Sequence, residues 1–94
     1  MNSDELVELF EKHADLFLED PPTTRHQRRD MAAFLLLHEI YHNDERIICG
    51  ADHDRIYLEP SLETLAEAGI TEEQVKELIR YGVLIHEDGL AMYA

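Results

Sequence analysis

The punctuation of residues 61–94 most constrains what this chain can fold into. Pro60 and Ser61 are starting residues for a short helix, and Gly69 stops it as a residue just past the C-cap. Thr71 with Gln74 makes a capping box, and Ile70 with Val75 a hydrophobic staple, so a second helix begins at once. It runs to Tyr81 and is stopped by Gly82. Val83 to His86 and Leu90 to Tyr93 then read as strands joined through Glu87-Asp88-Gly89, a strong hairpin signal. Two helices across a tight turn, followed at once by a hairpin, leave few architectures open.

Upstream, Leu6, Leu9, Phe10, His13, Leu16 and Phe17 recur at helical spacing, which predicts a first helix from about Ser3 to Glu19. Asn2 or Ser3 can cap it, Asp4 and Glu5 suit its positive end, and Pro21-Pro22 stop it. Thr24 with Gln27 predicts a capping box for a second helix over about Arg25 to His42. Met31 to Leu37 is apolar almost all round, so this helix is expected to be the central, most buried one. Ile47 to Cys49 and Arg55 to Leu58 are short β-rich segments around a polar turn. At 94 residues the chain has room for one core. One domain is therefore expected over 1–94, an acidic amphipathic helix in 1–20 and a compact core in 25–94.

From Arg25 to Ala94 this order resembles a winged helix-turn-helix domain, most closely over Ser61 to Ala94. Leu62, Leu65, Ala66, Val75, Leu78, Ile79, Val83 and Ile85 sit where that fold places its core. The resemblance implies a mainly α fold with a small β component: a three-helix core, a β-hairpin wing and one extra N-terminal helix. It does not imply one function, because such domains serve DNA binding and protein association alike. A DNA-reading helix presents Arg, Lys, Asn or Gln to base edges and holds phosphates at its flanks. Here that helix carries Glu72, Glu73 and Glu77 against Lys76 and Arg80, and the wing tip adds Glu87 and Asp88. That sign repels duplex DNA. A winged-helix transcriptional regulator would have to use Arg25, Arg28 and Arg29, which with His26 form the one basic cluster; pairing with the acidic first helix is the alternative use of these residues.

His38-Glu39-Ile40-Tyr41-His42 matches the HExxH string of zincin metallopeptidases, which it resembles only over that stretch. The resemblance implies His38 and His42 as zinc ligands and Glu39 as the base on a metal-bound water, with a third ligand from His53, Asp54, Glu59 or Glu63. The longer form of the motif fails, since Glu45 and Ile48 stand where it needs Gly and His. The alternative is that no metal or other cofactor is bound, and that His38 lies beside the core as a hydrogen-bonded structural residue. His26, His38, His42, His53 and His86 show no clustering that would make a pH sensor. Cys49, the one cysteine, is expected to be buried packing in a strand, and it rules out an intrachain disulfide.

Charge is the remaining signal. The chain has 21 acids against 8 Lys plus Arg, net −13. Residues 1–20 hold seven acids and one base, and residues 61–94 seven acids and two bases. Solubility needs a net charge of only a few units, about 2–8 for a small domain. Two uses fit the excess: carboxylates that mimic nucleic-acid phosphates and occupy a basic groove of a nucleic-acid-handling protein, or electrostatic docking onto any basic partner. The candidate contacts are Glu72, Glu73, Glu77, Glu87 and Asp88, then Glu5, Glu8, Glu11 and Asp15 of the first helix. In size and charge the chain looks like accessory proteins of phages and mobile elements, such as anti-CRISPR inhibitors, some of them DNA mimics. Three expectations complete this reading. The chain is non-enzymatic; the first helix can bury its Leu/Phe stripe against a second copy as a homodimer; and the protein is cytoplasmic with no membrane partner. The lone cysteine, the absence of a basic leader and the shortness of the apolar run from Met31 to Leu37 support the last.

Overall fold

The computed structural model describes residues 2–18, 28–42, 48–51, 54–59, 61–86 and 89–93. The Pro21-Pro22 stop, the Thr24–Gln27 box, Arg25, His26, Ile47, His53, Pro60, Glu87 and Asp88 lie outside them. The described residues are mainly helical (57%), with a small four-stranded antiparallel sheet (23%). The elements run α1 (Ser3–Lys12), a 3-10 turn (Ala14–Leu18), α2 (Arg29–Ile40), β1 (Ile48–Ala51), β2 (Arg55–Leu58), α3 (Leu62–Glu67), α4 (Glu72–Arg80), β3 (Val83–His86) and β4 (Gly89–Tyr93). This is compatible with a helical core bearing a β-hairpin wing.

The local signals of residues 61–86 act as read. The Ser61 hydroxyl accepts from the Thr64 N–H and caps α3. Gly69 takes φ +87 beyond α3; its N–H donates to Ala66 O and the Ile70 N–H to Leu65 O, which closes a Schellman motif. Thr71 and Gln74 exchange both capping-box bonds, and Ile70 and Val75 are both buried as the staple requires. Gly82 takes φ +95, a conformation that costs an L side chain about 1–2 kcal/mol.

The sheet order is β1-β2-β4-β3. The two short upstream strands and the hairpin are therefore one sheet, joined where Ile56 faces Met92 and Leu58 faces Leu90. Alternation sends Leu58, Leu90, Met92 and Val83 to the helices and places Tyr57, Leu84 and His86 on the other face. The core gathers Leu6 and Phe10 of α1, Leu36 and Leu37 of α2, Leu62 and Leu65 of α3, and Val75, Leu78 and Ile79 of α4 against those strands. Each fully buried side chain of this kind contributes roughly 1.5–3 kcal/mol.

Five expectations are corrected. The first helix does not reach Glu19: it ends at Lys12, His13 caps it, and a 3-10 turn follows that packs Leu16 against the core. The second helix begins at Arg29, because Arg28 is extended, and ends at Ile40, because Tyr41 is extended. It is not the central helix. Only its Ala32, Ala33, Leu36 and Leu37 face is buried, while Met31 and Leu35 are 38% and 46% exposed. A core this small covers one side of each helix, so an apolar circumference cannot all be enclosed. His38 is exposed rather than beside the core. Cys49 is also exposed: the β1–β2 register shifts between Ile48 and Gly50, and this irregularity in an edge strand carries the thiol to the surface.

Candidate functional site

Among the described residues no polar or charged side chain is buried, and no buried side-chain nitrogen or oxygen lacks a partner. The chemistry this chain presents is therefore at its surface, and its acids fall into two groups with different surroundings.

On α4 each predicted contact residue has a partner within the chain. The Glu72 carboxylate meets His13 Nε2 at 2.8 Å, tying the N-terminus of α4 to the end of α1. That hydrogen bond from His13 holds the Glu72 carboxyl below its ordinary value, with help from the nearby charge of Lys12 and Lys76. Glu73, 83% exposed, sits 3.4 Å from Lys76 Nζ. Glu77 Oε2 accepts from the Tyr81 hydroxyl at 2.6 Å, satisfying the polar tip of a ring that is otherwise buried.

On α1 the arrangement differs. Glu5 completes a capping box with Asn2, accepting from the Asn2 N–H while the Asn2 side chain accepts from the Glu5 N–H. Asp4, Glu8 and Glu11 recur at helical spacing, and Asp15 follows in the 3-10 turn; all four are exposed. No ion pair among the described residues engages Glu8, Glu11 or Asp15. Beside Glu11 lies an apolar groove of about 380 Å³ between the end of α1 and β3, walled by Phe10, Ala14, Ile79, Val83 and Ile85. Residue spacing alone could not reveal it. Two of its lining residues, Ala14 and Gly82, are small.

The α1 stripe expected to meet a second copy is buried in this chain's own core, Leu6 completely and Phe10 almost so. A homodimer would have to use another surface.

The basic cluster is represented by Arg28 and Arg29. Arg28 grips Asp30, with Nε 3.2 Å from Oδ1 and Nη2 2.7 Å from Oδ2. Burial raises the Asp30 carboxyl, but the bonds from Arg28 and from the Met31 N–H outweigh it and hold the group below its ordinary value. A phosphate approaching that guanidinium would have to compete with Asp30 for the same fork.

The HExxH residues do not form the geometry that string implies. His38 and His42 are 4.8 Å apart between ring centroids, edge to face, and both are exposed. His42, however, lies beyond the helix, since Tyr41 at φ −138°, ψ 107° has left it. Among the described residues no three His, Cys, Asp or Glu side chains are placed to share a metal ion, so Asp54, Glu59 and Glu63 do not complete a zinc centre with this pair. Among the described residues the pair thus lacks the third protein ligand that a catalytic zinc takes. On the sheet's other face His86 stacks on Tyr57 at 4.8 Å.

No helix among the described residues is long and apolar enough to cross a membrane. No family model matches this chain, and no match to it was found among curated proteins or solved structures.

Proposed function

We propose that this chain is a non-enzymatic, acidic protein-binding module that docks on a basic surface of a nucleic-acid-handling partner, as an accessory or inhibitor of the kind carried by phages and mobile elements. The observation that carries this reading is the run of uncompensated carboxylates on α1, Glu8 and Glu11 with Asp15 beyond them, on a chain of net −13. Unpaired like charges at this spacing cost the folded state a few tenths of a kcal/mol each, and a cationic partner turns that cost into attraction. Glu72, Glu73 and Glu77 contribute to the same field as secondary contacts, because each already has a partner within the chain. The tight α3–α4 turn, the β3–β4 hairpin and the pairing of β2 with β4 support a winged-helix reading of 25–94 whose outer helix has the wrong sign for a duplex.

The test is capture from cell lysate at low and at high salt, with the eluted proteins identified, alongside a gel-shift with duplex DNA. A basic nucleic-acid-binding protein retained at low salt and released at high salt supports the reading. A salt-independent partner, or a DNA shift at low salt, overturns it.

The 4.8 Å approach of His38 and His42 favours a second reading, in which the two imidazoles share a zinc ion that stabilises the end of α2 without peptidase chemistry. Stoichiometric zinc in the purified protein would support it.

A further inference from the structure

The groove between α1 and β3 identifies which part of a basic partner this module takes. We infer that it binds an extended basic segment with one apolar anchor, laid along the outer edge of β3, its anchor in the groove and its flanking Lys or Arg side chains against Glu8, Glu11 and Asp15. This rests on the reading just given and makes it specific.

Three independent features converge there. The first is a free edge. In the order β1-β2-β4-β3, strand β3 pairs with β4 on one side, and among the described residues no strand pairs with its other side. An extended chain can take up backbone groups on such an edge. The second is the groove, whose lining residues include Val83, Leu84 and Ile85 of that strand. A segment running along the edge thus passes directly over an apolar recess of about 380 Å³, large enough for a Leu or Phe side chain. The third is charge. Among the described residues the one charged side chain lining the recess is Glu11, with Glu8 a turn before it on α1 and Asp15 a turn beyond. Glu11 lies in the last turn of α1, where the helix dipole is already negative and an added carboxylate is unfavourable, and Asp15 stands just beyond it in the 3-10 turn. The one base of α1, Lys12, acts on Glu72. Cationic residues flanking the anchor relieve all of this at once. A second copy of the chain is a poor occupant, since two molecules of net −13 repel.

The experiment measures fluorescence anisotropy of a labelled synthetic peptide that alternates lysine with valine and has one central leucine, and of a control with serine for the leucine. Ala14→Trp fills the groove without changing charge, and Ala14 is exposed, so the fold has room for it. The Glu8→Lys/Glu11→Lys pair reverses the flanking charge, and Glu73→Lys makes a change of the same kind on α4. The expected result is a loss of about tenfold or more in affinity for Ala14→Trp and for the serine peptide, a similar loss with a flattened salt dependence for the α1 pair, and a loss of at most about twofold for Glu73→Lys, a secondary contact. Amide shifts in the unaltered protein on peptide addition should concentrate at Phe10 to Ala14 and Gly82 to Ile85; this arm needs no variant to fold. Equal binding by Ala14→Trp, or shifts centred on α4, overturns the groove while leaving a basic partner in place. Failure of any basic peptide to bind at low salt overturns both. Self-association that Ala14→Trp abolishes assigns the groove to a second copy and overturns the peptide.

Discussion

Helices α1 and α4 carry comparable numbers of acids, yet they use them differently. On α4 every acid of the outer face is held by a neighbour: Glu72 by His13, Glu73 by Lys76, Glu77 by Tyr81. On α1, Glu5 alone is built into the local structure, through its bonds with Asn2, while Glu8, Glu11 and, in the following turn, Asp15 have no ion-pair partner among the described residues, and Glu11 lines an apolar recess. The difference teaches that an acidic residue count does not locate a docking face. Carboxylates already serving the fold lose part of that service when a partner takes them, whereas those on α1 lose nothing.

That contrast can be broken or sharpened by experiment. The largest effect is expected from Phe10→Ala, which removes the ring that both anchors α1 in the core and walls the groove; it should cost about 3–5 kcal/mol in denaturant unfolding. A cost well under 1 kcal/mol would mean that α1 is peripheral and its acids are not held in place. Next, reversing Glu8, Glu11 and Asp15 to Lys should weaken partner binding by about tenfold or more, against at most about twofold for Glu73→Lys. Similar losses from both would erase the distinction between the helices.

A smaller effect concerns His13. Because the Glu72 carboxyl is held below its ordinary value of 4.5 when folded, it contributes stability that is present above that range and lost as pH falls through the lowered value. His13→Ala should remove this contribution, so the variant's stability should vary less with pH in the acid range than the parent's, and NMR titration should show the Glu72 carboxyl returning upward. An unchanged Glu72 titration would sever the proposed tie between α1 and α4. The smallest effect is expected from chelator: with both His38 and His42 exposed, it should leave Tm within about 1 °C, while a fall of several degrees would favour the zinc reading.

The parts of the fold legible in the chain are those with short-range causes. Gly69, Gly82, the Thr71–Gln74 box and the Ile70–Val75 staple each act within a few residues, and each stands where the pattern put it. What was not legible depends on distant partners. The break of the first helix goes with a tie from His13 to Glu72, far away in sequence. The direction in which α2 faces could not be read because its apolar circumference has no periodicity to point with. The join of β2 to β4 follows from register between strands separated by two helices. Cys49 was misplaced because a shifted register, invisible in composition, turns it outward. The acids of the candidate site could be named from charge alone. Their division into engaged and open sets could not, and neither could a groove whose lining comes from α1, the turn after it, α4 and β3 together.

The sheet order has a consequence for how the molecule is made. The strand that comes last in the chain, β4, lies between β2 and β3 and is the only link between them among the described residues. A ribosome that has released everything up to His86 has therefore produced at most an isolated β1–β2 hairpin, which is marginal in water by itself. The apolar faces of β2 and β3 wait for Gly89–Tyr93 to zip between them, so the sheet closes only once β4 is in place, and loss of those five residues would dismantle the sheet rather than trim its margin.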